Sequence, residues 1–117
     1  MAVPVLKQGD ILIASMQAAV SDKELLRLRD ELAERVGRHR ARGVIIDLTA
    51  LDVLDSFATR TIRAIAYTAK LRGAEAVVVG IQPDVAFAMV QLGLSLEGIV
   101  TALDLEEGLA HLRAPDR

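Results

Sequence analysis

Gly43-Val44-Ile45-Ile46-Asp47-Leu48, and after it Leu51-Asp52-Val53-Leu54-Asp55-Ser56-Phe57, carry the chain from a strand through a carboxylate-bearing loop into a helix. The first six residues are a β-branched apolar run after a charged stretch, the pattern of a strand buried on both faces. From Phe57 to Arg72 the apolar residues Ala58, Ile62, Ile65, Ala66 and Ala69 recur at the spacing of one helical face. Ser56 falls where an N-cap belongs, and serine is among the preferred caps. It also lies on the loop leaving the carboxyl end of a strand, where open α/β sheets place their functional crevices. A phosphoryl group added there would meet N–H donors at the positive end of the helix dipole instead of unfolding the helix. Its charge, roughly −1.5 to −2, would lie beside Asp55 and near Asp52 and change the local surface.

Working outward, residues 3–7 and 11–16 flank the turn signal Gln8-Gly9-Asp10 and read as an N-terminal hairpin. Ser21-Asp22-Lys23-Glu24 has capping-box spacing, and Leu25, Leu28, Leu32 and Val36 extend a helical stripe to about residue 41. After the Ser56 helix, Gly73 is a plausible cap, and Ala76-Val77-Val78-Val79-Gly80-Ile81 predicts another buried strand. Pro83 suits a first helical position, with the helix stopping at Gly93. Ile99-Val100-Thr101 predicts an edge strand, and Asp104 with Glu107 opens a last helix to about Leu112. The expected architecture is therefore α/β: a mixed sheet of about five strands with about four helices, parallel where helices intervene.

The composition narrows the chemistry. At 117 residues the chain suits one domain burying about 65% of its unfolded surface. With 52% hydrophobic and 3% aromatic residues, its core must be built from Val, Ile, Leu and Ala. The absence of cysteine removes disulfides, thiolate catalysis and cysteine-based metal sites. No apolar run approaches the roughly 18 residues of a membrane span, so a cytoplasmic protein without membrane attachment is expected. Fourteen basic against sixteen acidic side chains leave a charge of −2, which offers no general attraction to nucleic acid. The basic stretch from Arg35 to Arg42 closes a helix and complements its dipole.

Neither phosphate-binding glycine pattern occurs, and Ser56 lacks both a G-x-S-x-G elbow and a nearby histidine, since His39 and His111 lie elsewhere. An enzyme is not expected, nor is a cofactor. Asp47, Asp52 and Asp55 are more simply loop-forming residues than ligands of a hard cation, so no metal site is assigned. Arg60 and Arg63 should face solvent, as a solubilising face or a partner contact. The apolar Leu51, Val53 and Leu54 in the loop must plug the sheet or await a partner.

Ile46-Asp47-Leu48-Thr49, Val53-Leu54-Asp55-Ser56-Phe57, Leu71-Arg72-Gly73-Ala74-Glu75, Val79-Gly80-Ile81-Gln82-Pro83, Leu92-Gly93-Leu94 and Gly98-Ile99-Val100-Thr101-Ala102-Leu103 together resemble a STAS domain over residues 3–113. The resemblance is to the RsbS-type scaffold of the bacterial stressosome. It implies a non-enzymatic regulator that forms a large oligomer with RsbR-type STAS paralogues. Such a scaffold sequesters an RsbT-type serine/threonine kinase, which leaves on phosphorylating it, and an RsbX-type phosphatase resets the serine. The phosphoacceptor maps by motif onto Ser56, with Thr59 as the alternative and Asp52, Asp55, Phe57 and Arg60 as candidate partner-binding residues. An alternative within the fold is a direct anti-sigma factor antagonist that binds an anti-sigma kinase while unphosphorylated. In that branch small, glycine-containing sequence typically follows the serine, and Ser56-Phe57-Ala58-Thr59 departs from it. A ligand-sensing STAS module is the third class.

Overall fold

Strands and helices alternate through most of the chain in a computed structural model that describes residues 2–114. The order is β1 (Val5–Gln8), β2 (Ile11–Ser15), α1 (Asp22–Arg38), β3 (Gly43–Asp47), α2 (Ser56–Leu71), β4 (Glu75–Val79), α3 (Pro83–Gln91), β5 (Val100–Ala102) and α4 (Leu105–Arg113). The five strands form one sheet in the order β1-β2-β3-β4-β5, with β1 antiparallel to β2 and the others parallel. The predicted α/β class and mixed sheet are thus what the chain adopts.

Because the strand order never reverses, successive right-handed crossovers set their helices on the same face of the sheet. The main core lies there. Leu28, Leu32 and Val36 of α1, Ile62 and Ile65 of α2, and Val85 and Met89 of α3 meet Leu12, Val44, Ile46 and Val78 of the strands. The alternate strand residues Ile11, Ile13, Ile45, Val77 and Val79 point to the other face, which α4 covers through Leu112, with Leu105 and Leu109 packed alongside. Both faces of the central strands are buried, which explains their unbroken apolar sequence. Close approach of α4 depends on two glycines. A Cβ on Gly108 would stand 2.7 Å from Val79 Cγ1, and one on Gly43 would stand 2.7 Å from Leu112 Cδ1.

The ends of the elements follow local chemistry. Ser21 caps α1 by accepting the Glu24 N–H at 3.1 Å, while Glu24 Oε1 accepts the Ser21 N–H at 3.0 Å. That backbone N–H, and then the Ser21 hydroxyl, hold the Glu24 carboxyl below its ordinary range. The helix stops at Arg38 rather than near residue 41, because Arg40 adopts φ 48° and the Ala41 N–H reaches back to the Val36 carbonyl at 3.0 Å. Strand β4 ends at Val79 rather than Ile81, because Gly80 turns the chain at φ 76°. At α4, Asp104 caps the Glu107 N–H at 2.9 Å, but the Glu107 carboxylate accepts from Leu103 N–H rather than from the cap's own.

Candidate phosphoacceptor site

The loop of residues 48–55 leaves the carboxyl end of β3 and delivers Ser56 to the start of α2, the place the sequence assigns to it. The sheet has no reversal of strand order, so no switch-point crevice forms around it. Ser56 instead stands on an exposed corner.

The N-cap assignment requires correction. Asp55, not Ser56, caps α2: its backbone is extended and its Oδ1 accepts the Ala58 N–H at 2.8 Å. Both residue types cap well, and the carboxylate three residues before Ala58 takes the role, leaving Ser56 as the first helical residue. The Ser56 side chain is exposed, and its hydroxyl has no hydrogen-bond partner among the described residues. The N–H groups of Ser56 and Phe57 likewise have no protein partner there, so donors remain free at the positive end of the dipole.

Thr59 lies three residues further on and in the opposite environment. It is 1% exposed, and its hydroxyl donates to the Asp55 carbonyl at 2.9 Å. Asp52, Asp55 and Arg60 are exposed, and Phe57 is half-buried against the main core. The structure therefore gathers the candidate residues around one corner and withdraws only the Thr59 hydroxyl from it.

The loop is anchored at several points. Leu48, Leu51 and Leu54 are buried, whereas Val53 is 72% exposed, so the apolar loop residues divide between plugging the sheet end and facing solvent. The Asp52 N–H donates to the Ala18 carbonyl at 3.1 Å, tying the loop to the connection after β2. Asp47 Oδ1 accepts from the Thr49 N–H at 2.9 Å and from its hydroxyl at 2.6 Å, and Gln82 Nε2 donates to the Thr49 carbonyl at 2.6 Å. Asp47 is thus committed to shaping the turn. Among the described residues no group of three His, Asp or Glu side chains is arranged to hold a metal ion. The bracing by Gln82 was not read from the sequence, although Gly80-Ile81-Gln82-Pro83 stood out there as a motif. The Asp47-x-Thr49 spacing of an Asx turn was also legible. Beside the loop, a hollow of about 310 Å³ is lined by Met16, Ala18, Val20, Asp52, Val53 and Asp55 among others.

Neither histidine approaches Ser56. His39 follows the far end of α1, and His111 Nε2 lies 3.2 Å from Glu75 Oε2 at the first residue of β4. Both belong to the amino-terminal end of the parallel strands, opposite the corner that carries the serine.

The four-helix, mixed five-strand α/β domain belongs to the STAS domain family, whose model matches residues 2–108. Within that family it is similar to a serine-to-glutamate form of Moorella thermoacetica RsbS, with 35% identity, a TM-score of 0.81, and coverage of 95% of this chain and 94% of that one. It is equally similar to a chain in the molecular architecture of the stressosome, described as a signal integration and transduction hub. There the identity is 35%, the TM-score 0.82, and the coverage 97% and 99%. Over 100 residues, 86% of its length, it is 27% identical to the RsbT co-antagonist protein RsbRA of Bacillus subtilis (strain 168), and it spans 36% of that protein. The RsbS-type resemblance read from the sequence is borne out. No helix of the described residues is long and apolar enough to cross a membrane.

Proposed function

We propose that this STAS domain, over residues 3–113, is a non-enzymatic scaffold subunit of a cytoplasmic stressosome. It co-assembles with itself and with RsbR-type paralogues, holds an RsbT-type kinase, and lets that kinase go when Ser56 is phosphorylated. An RsbX-type phosphatase restores the hydroxyl. The observation that carries this reading is the presentation of Ser56: an exposed hydroxyl with no hydrogen bond of its own, on a corner whose cap is supplied by another residue. Similarity over nearly the whole chain to RsbS and to a stressosome chain supports the assembly. The name of the relative RsbRA supports an RsbT-type partner.

The mechanism follows from the local charge. A phosphoryl group on Ser56 meets the free N–H groups of Ser56 and Phe57, so α2 keeps its first turn. It also adds roughly −1.5 to −2 beside Asp52 and Asp55, a concentration of like charge that a partner docked there would have to accommodate. Docking, not folding, is therefore what the modification changes. Asp52, Asp55, Phe57 and Arg60 form the contact surface around the serine. Ser56 is favoured over Thr59 because the latter's hydroxyl is buried and already donating.

Sedimentation of the chain with its RsbR-type paralogue and RsbT-type kinase tests the proposal. A heavy species containing all three is expected, losing the kinase after ATP is added, and Ser56→Asp should weaken kinase capture without ATP. A chain that stays monomeric in every mixture would contradict the scaffold reading.

A further inference from the structure

The crossovers above the sheet differ in length, and the difference opens a trough. Helix α2 has 16 residues and α3 only 9, about 24 Å against about 14 Å of helix. Strand β5 pairs with β4 only at Val77–Val79, so its pairing does not extend to the start of β4. Between the outer side of α2 and residues 97–100 lies a groove of about 1040 Å³. Its floor includes the small residues Ala66, Ala74 and Ala76.

One wall is cationic. Arg60, Arg63, Tyr67 and Lys70 follow one another at steps of three, four and three residues and so share a face of α2. The other charged groups of the groove are Arg42, Glu75 and Glu97. Arg42 pairs with Asp10 at 3.1 Å, and Glu75 lies 3.2 Å from His111. Arg60, Arg63 and Lys70 have no ion pair among the described residues. On a chain of net charge −2, the four cations Arg42, Arg60, Arg63 and Lys70 outnumber the two carboxylates of the groove, Glu75 and Glu97, and reverse the local sign. Tyr67, 63% exposed, stands between them as an apolar platform.

We infer that this groove docks an acidic, extended segment of a partner protein. The shape of the charge selects that occupant. From Arg60 to Lys70 the cations are strung over about 15 Å, rather than converging on one point as a single phosphate would require. That length matches four or five residues of extended chain at about 3.3 Å each, with carboxylates set along the row. The unphosphorylated chain should show the site.

The test is fluorescence anisotropy of a fluorescein-labelled decapeptide of alternating Glu and Ala, titrated with the full chain at low ionic strength. Saturable binding is expected, weakened by added salt as exposed charge pairs are screened. The triple variant Arg60→Gln, Arg63→Gln, Lys70→Gln should weaken it at least about tenfold. A charge-matched control, Lys7→Gln, Lys23→Gln, Arg27→Gln, removes cations outside the groove and should change it less than about twofold. Circular dichroism of both variants checks that the fold is kept. Absence of saturable binding, equal losses in the two variants, or tighter binding of ATP than of the peptide through the same three residues would overturn the inference.

Discussion

The two faces of α2 carry their side chains under opposite constraints. Inward, Ala58, Thr59, Thr61, Ile62, Ile65, Ala66 and Ala69 are buried, and the two threonine hydroxyls donate to the backbone carbonyls of Asp55 and Phe57. Outward, Ser56, Arg60, Arg63, Tyr67 and Lys70 are exposed, and the serine and the three cations have no protein partner among the described residues. Packing fixes the first face, so substitutions there register as lost stability. Chemistry with other molecules is left to the second, where substitutions should alter function while the fold persists. Ser56 and Thr59 make the contrast sharpest, being hydroxyls less than a turn apart in the same helix.

The contrast is broken most severely on the inward side. Ile62 is 0% exposed, and Ile62→Ala should lower unfolding free energy by about 2–5 kcal/mol in urea titrations, the range for removing a buried aliphatic side chain. Next is the cap. Asp55→Ala removes the acceptor of the Ala58 N–H and should cost about 1 kcal/mol in the same assay. The smallest effect belongs to Ser56→Ala, expected to change stability by less than about 0.5 kcal/mol because an exposed first-turn residue is not the cap. A larger loss at Ser56 than at Asp55 would reverse the assignment of the cap.

Much of this was legible in the sequence, for identifiable reasons. Strands β3 and β4 lie in unbroken β-branched runs because α/β layering buries both their faces. The Ser21-x-x-Glu24 box marks the start of α1 because two reciprocal hydrogen bonds require that spacing. The cap of α2 was misread by one residue, since Asp and Ser are about equally good caps and stand side by side at 55 and 56. What decided between them was loop geometry, set by the buried Leu51 and Leu54 and by the tie from Asp52 to Ala18. These contacts join residues more than thirty positions apart in the last case, and no local pattern encodes them. The sequence also identified Arg60 and Arg63 as a solvent-facing pair, but not the groove beside them. That groove arises from the shortness of α3 and the limited pairing of β5, which are properties of the assembled sheet.

The proposed function rests on Ser56 as the phosphoacceptor, and phosphopeptide mapping tests that directly. After incubation of the chain with an RsbT-type kinase and ATP, the label should fall on Ser56, and Ser56→Ala should remove it while leaving the unfolding midpoint essentially unchanged. Label on Thr59 or on any other residue, with Ser56 unmodified, would contradict it.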